Sequence, residues 1–158
     1  SSKNLTLITR VIRNPQFDVN VINFTRDGRG VLNSWYRKQQ GCKTFEACLN
    51  RWIKQETDRQ LLLKYLPPER VHRVKYEDLC QNPTEVMSQV FDFVGVASQP
   101  VHLDYLATPH HIIGNPMRLS DSTIRLDERW RNELSSEYQA LFVQKAAHLN
   151  RQNGYATS

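Results

Sequence analysis

Val19-Asn20-Val21-Ile22-Asn23-Phe24-Thr25-Arg26-Asp27-Gly28-Arg29-Gly30-Val31-Leu32-Asn33-Ser34 joins an apolar, β-like run to a basic, glycine-containing turn and then to a helical segment. A strand that ends in such a turn and opens a helix is suited to anions. The first N–H groups of a helix have no partner within it, and the helix dipole adds positive potential there. Arg26 and Arg29 bring fixed positive charge, and Ser34 brings a hydroxyl donor. The chemistry this stretch suits best is gripping a phosphate.

The flanking segments extend the alternation. Leu5, Ile8, Val11 and Ile12 fall on one helical face that Asn14-Pro15 stops. Asp18 to Thr25 reads as a buried strand, and Val31, Leu32 and Trp35 as part of a helix ending before Gly41. Thr44 is a candidate N-cap for a longer helix whose apolar face is Phe45, Cys48, Leu49, Trp52, Ile53 and Leu63, with Pro67-Pro68 behind it. Val71 to Tyr76 is a short strand. Asn82-Pro83 starts another helix, with Val86, Val90, Phe93 and Val94 as its buried face and Gly95 as its stop. A last helix is predicted from about Ser135 to Asn150, its inner face Tyr138, Leu141, Phe142 and Leu149. Residues 98–127 have no clear period, and so long a loop in a compact domain is usually functional or mobile. The order implies an α/β fold with a parallel sheet flanked by helices. Only two strands are legible, whereas sheets usually have about four to six. Either strands are hidden, or part of the sheet lies outside this chain.

With 158 residues, residues 1–158 read as a single domain. The net charge of +5 favours anionic partners without choosing among them. The cations are dispersed rather than clustered as in a nucleic-acid-binding tail, and no nucleic-acid motif is present. No apolar run approaches the roughly 20 residues of a membrane span. The three cysteines admit either a Cys42–Cys48 bridge with Cys80 free or three small buried residues. His102, His110 and His111 lack metal-ligand spacing, so no metal is expected. Trp35, Trp52 and Trp130 read as core. Arg125, Arg129 and Arg131 read as a solvated face, and Arg29 as a surface or supporting charge. Glu77 and Asp78, adjacent on a strand end, would point to opposite faces and are not an acid–base pair. Tyr76, on the residues alone, is equally a half-buried strand aromatic.

Three segments together resemble the PAPS-dependent sulfotransferase family, especially its carbohydrate, Golgi-type branch. They are the strand with Arg26 to Ser34, then Val74-Lys75-Tyr76-Glu77-Asp78-Leu79 with Asn82-Pro83 and its helix, then His111-Ile112-Ile113-Gly114-Asn115-Pro116-Met117-Arg118 with Asp127, Trp130 and Leu134. The resemblance implies a P-loop-NTPase-like sulfotransferase fold. It implies sulfuryl transfer from PAPS to a hydroxyl or amine, most naturally of a carbohydrate, with PAP as product. Arg26 and Ser34 would hold the 3′-phosphate, Tyr76 would lie near the adenine, and Gly114 and Arg118 would close over the nucleotide. The family's 5′-phosphosulfate loop, with its catalytic lysine, is not found here. No Gly-x-x-x-x-Gly-Lys pattern occurs either, which disfavours an ordinary P-loop kinase. The chain therefore reads as the C-terminal portion of such a domain, the rest lying on a missing N-terminal segment or a second chain. No catalytic residue is assigned. Golgi-lumen residence follows for a eukaryotic member, with the anchor outside this chain. A cytoplasmic member is the alternative, and the rival function is a non-catalytic nucleotide- or glycan-binding module of the same fold.

Overall fold

In a computed structural model of the chain, residues 2–98 and 124–157 are described, with side chains from residue 8 onward. The elements are α1 (Ser2–Arg13), β1 (Val21–Thr25), α2 (Gly28–Arg37), α3 (Phe45–Leu63), a 3-10 turn (Pro68–Arg70), β2 (Val71–Lys75), α4 (Tyr76–Gln81), α5 (Pro83–Val94), α6 (Trp130–Glu133) and α7 (Ser136–Gln152). Among the described residues β1 and β2 form a two-stranded sheet, and the fold is the expected mix of helices and parallel strands. No described helix is long and apolar enough to cross a membrane. The contacts divide the chain into two compact units, one of Ser1–Arg73 with Asp127–Ser158, the other Val74–Leu126.

The first unit is built around α3. Thr44 caps it as expected, its hydroxyl accepting from the Ala47 N–H at 3.2 Å. The face Phe45, Cys48, Leu49 and Trp52 is buried against Leu32 of α2, Trp130 of α6, and Phe142, Ala146 and Leu149 of α7. Trp52 and Trp130 are core residues, as their spacing suggested, and Trp35 packs partly buried beside them. Cys42 and Cys48 form a disulfide, in which Cys80 takes no part. Of the two readings left open for the cysteines, the bridged one is the one found. Phe45 stacks on Tyr138 with ring centroids 4.3 Å apart, and Tyr36 meets both rings edge-on. Ser135 caps α7 by accepting from the Tyr138 N–H at 3.3 Å.

The second unit has its own small core of Val74, Val86 and Val90 with Leu79 packed against it. Its α5 begins at Pro83, a position that needs no N–H, and stops at Gly95 in the left-handed conformation with φ of 70°. Asn82 precedes the helix, but its side chain makes no capping bond. Phe93 is only half-buried and Val94 is exposed, so the predicted inner face narrows to Val86 and Val90.

Four expectations need correction. The strand predicted from Asp18 begins at Val21. The second strand ends at Lys75, and Tyr76 opens α4, so Glu77 and Asp78 lie in a helical first turn rather than on a strand end. Carboxylates there favour the positive end of the helix dipole. Ile8 and Val11 of α1 are exposed, although α1 packs on α3. Finally, β1 is not apolar inside. Asn23 and Thr25 are buried, while Ile22 and Phe24 are 45% and 50% exposed. The buried pair is polar because each is hydrogen-bonded, Asn23 to Arg59 and Thr25 to the Tyr155 hydroxyl at 3.5 Å.

Gly28 is where the sheet, α3 and α7 come closest. A methyl group there would sit 2.5 Å from Trp52 Cζ2 and 2.8 Å from Phe142 Cε2. Both rings belong to the core and cannot withdraw cheaply. Gly28→Ala is expected to destabilise the chain by about 1–3 kcal/mol through overpacking. Urea denaturation would measure it, and an unchanged midpoint would contradict the packing described here.

Candidate functional site at the β1–α2 turn

The turn between β1 and α2 is held from below by a buried polar lock. Asp27 caps α2, its Oδ1 accepting from the Arg29 N–H at 2.9 Å. Arg29 folds back onto the same carboxylate, Nε to Oδ1 at 3.1 Å and Nη2 to Oδ2 at 2.7 Å. It also donates to the Ala156 carbonyl at 2.8 Å and lies over the Trp130 ring at 4.1 Å. Asn150, fully buried on α7, accepts from the Gly28 N–H at 2.9 Å and donates weakly to Asp27 at 3.5 Å. Arg29 is thus a supporting charge, not a surface one.

The lock also revises the anion reading of the helix start. The Gly28 and Arg29 N–H groups, which no helix bonds internally, are taken by Asn150 and Asp27. Positive charge for a ligand must then come from side chains. Arg26 is the one the turn presents, one residue past β1 and about one-fifth exposed. Its Nη2 donates to the Asp127 carbonyl at 2.6 Å and approaches Asp127 Oδ2 at 3.4 Å. Asp127 is in turn gripped by Arg129, Nε to Oδ1 at 2.8 Å and Nη2 to Oδ2 at 2.9 Å. Hydrogen bonding from Arg129 holds the Asp127 carboxyl well below the usual carboxylate range against the cost of burial, with the nearby charges of Arg129 and Arg26 adding to it. Two arginines thus share this one carboxylate.

Gly30 turns the Arg26 guanidinium into part of α2's face. A methyl group at Gly30 would lie 3.0 Å from Arg26 Nε and 3.3 Å from its Cζ and Nη2. Ser34 follows Gly30 by four residues, so it stands one turn along on the same face, about 5–6 Å away. Helical spacing therefore puts Ser34 on the side of α2 against which the Arg26 guanidinium lies. Tyr76 belongs to the second unit. There its hydroxyl donates to the Arg125 carbonyl at 3.1 Å, and Cys80 Sγ lies 3.8 Å from the same oxygen. Gly114 and Arg118 fall outside the described residues, as do His102, His110 and His111. Among the described residues no three His, Cys, Asp or Glu side chains cluster as metal ligands. The solvated face expected for Arg129 and Arg131 is modified by pairing, Arg129 with Asp127 and Arg131 with Glu128 at 2.8 Å.

A strand, a basic turn with two glycines and a helix whose first residue is locked onto α7 form the structural element that the family resemblance rested on. The sulfotransferase family model matches residues 6–100, from α1 to the end of α5. The chain belongs to the sulfotransferase family. A solved structure similar to it is a sulfotransferase domain from the curacin biosynthetic pathway, at 27% identity and a TM-score of 0.58. That match covers 79% of this chain and 52% of the other, so the chain spans about half the length of the solved sulfotransferase domain. No curated protein matches.

Asp127 and Asn150 were not among the predicted site residues. Asp127 belongs to the third resembling segment but carried no role there, and nothing local marks Asn150, because each acts on a turn at least 100 residues away.

Two outcomes follow. Gly30→Ala should leave stability close to wild type, since a flexible guanidinium can move aside, yet displace Arg26 and weaken binding of a phosphate-bearing nucleotide about tenfold. Paired denaturation and calorimetry would separate the two effects. For Asp127 the folded carboxyl titrates below its unfolded value, so its contribution is present above about pH 4 and is lost only as pH falls through the folded value. The stability difference between wild type and Asp127→Asn should therefore be flat from pH 8 to about 4.5 and shrink in more acidic buffer.

Proposed function

We propose that the chain forms the 3′-phosphate-binding part of a sulfotransferase that moves a sulfuryl group from PAPS to an acceptor hydroxyl or amine. The observation that carries the proposal is the Arg26 guanidinium, seated against Gly30 at the end of β1 with Ser34 one turn beyond it. Arg26 supplies charge-assisted hydrogen bonds to the 3′-phosphate, and Ser34 adds a hydroxyl donor. Tyr76 offers its ring to the adenine, and Gly114 and Arg118 close over the nucleotide. PAP leaves after transfer. Sulfuryl transfer resembles phosphoryl transfer in asking mainly for positioning and charge stabilisation. Asp27, Asn150 and Arg29 serve that need by fixing the turn, and Asp127 with Arg129 orients Arg26. The chain's described residues carry no assigned base or catalytic lysine, so turnover draws on the half of the domain that the match leaves uncovered. The exposed Ile22 and Phe24 face of β1 fits a sheet face that such a segment would cover.

A carbohydrate acceptor rests on the resemblance of residues 111–118 to the Golgi-type branch. The similar solved domain comes from the curacin biosynthetic pathway, so a hydroxyl of another class of compound is the alternative acceptor. The Cys42–Cys48 disulfide supports residence in an oxidising lumen such as the Golgi over the cytoplasm.

Calorimetric titration with adenosine 3′,5′-bisphosphate, beside 5′-AMP, tests the reading. Binding is expected to need the 3′-phosphate and to weaken about tenfold to a hundredfold in Arg26→Ala. Equal affinity for both nucleotides, or no loss in the variant, would refute it.

A further inference from the structure

A second group of cations lies in the first unit, away from the β1–α2 turn. A pocket of about 300 Å³ opens beside the carboxyl ends of α3 and α7, against both strands. Asn23, Arg59, Gln60, Lys64, Arg73 and Asn153 contribute to its wall. Asn23 precedes Arg26 by three strand residues, about 10 Å.

The wall is satisfied only in part. The amide oxygens of Asn23 and Asn153 are engaged. Asn23 Oδ1 accepts from Arg59, and Asn153 Oδ1 accepts from the same guanidinium at 2.7 Å. Glu56 neutralises Arg59 and accepts from Asn153 Nδ2 at 2.7 Å. Three other donors are in the opposite state. Gln60 Nε2 is shielded from solvent and has no partner, which is costly for a buried amide. The Lys64 ammonium and the Arg73 guanidinium make no hydrogen bond or ion pair among the described residues. Lys64 is also the C-cap of α3. Part of its charge offsets the negative end of that helix, so net attraction for an anion needs Lys64 and Arg73 together.

Donors without acceptors, two of them cationic, ask for a ligand rich in acceptor oxygens. We propose that this pocket binds an oxyanion, the sulfate, phosphate or carboxylate group of a small ligand, through Lys64, Arg73 and Gln60 Nε2. The site is separate from Arg26. Its occupant is held by charge-assisted hydrogen bonds, with Arg59 and Asn23 as the rigid floor.

The test is a titration of the isotope-labelled chain with sodium sulfate, sodium phosphate or sodium acetate, following the side-chain amide of Gln60 by NMR. Sodium chloride at matched ionic strength is the control. A saturable shift with at least one oxyanion and none with chloride is expected. Response to sulfate and phosphate alone identifies a tetrahedral group, and response to acetate alone a carboxylate. The double variant Lys64→Gln, Arg73→Gln, both exposed positions, should lose affinity about tenfold or more. Arg26→Ala should leave the titration unchanged. The absence of a saturable shift, an equal shift with chloride, an unaltered titration in the double variant, or loss of binding in Arg26→Ala would each overturn the proposal.

Discussion

The buried contact between Asp27, Arg29 and Asn150 is the constraint on which the β1–α2 turn depends. A carboxylate, a guanidinium and an amide are brought out of water together, and each is left with partners. Removing one partner strands the others, and an unmatched buried charge is far more costly than the lock is stabilising. That asymmetry makes the turn rigid in one geometry. It also ties the first helical N–H groups to α7, which turns a generic helix start into a frame for a side chain. Arg26, one residue earlier, inherits its position from that frame and from Gly30.

Close approach is the second requirement. Gly28 lets α2 pack onto Trp52 and Phe142, and Gly30 lets the Arg26 guanidinium lie on the helix. The two glycines have different consequences. At Gly28 the neighbours are core rings, so added volume threatens stability. At Gly30 the neighbour is the end of a flexible side chain, so added volume would displace Arg26. The same short sequence thus carries two close approaches of different consequence two residues apart.

Charge around the turn is balanced rather than maximised. Asp127 sits between Arg26 and Arg129 and stays deprotonated well into acid. A lone arginine would be more mobile. Fixing it in advance lowers the ordering cost when a phosphate arrives. The Asn23–Arg59–Asn153 arrangement beside the second pocket follows the same logic, with the opposite face of β1 left apolar and exposed.

Much of the fold was legible along the chain because its signals are local. Thr44 capping α3, the Asn14-Pro15 stop, Gly95 in the left-handed conformation and the helical spacing of Phe142 and Leu149 all act within a few residues. So does the strand–turn–helix order that placed Arg26 and Ser34, and the family that order resembles. Other features depended on partners distant in sequence. Apolar composition alone pointed to a buried strand at Ile22 and Phe24, but hydrogen bonding to Arg59 and Tyr155 decides that Asn23 and Thr25 face inward. Tyr76 closes a strand by pattern, yet the helix it opens bonds its hydroxyl to Arg125. Periodicity and capping are written residue by residue, so the sequence by itself determined the elements and the turn. Asn150 beneath Gly28 and Asp127 beside Arg26 arise from contacts spanning more than 100 residues, and these only the tertiary structure could decide.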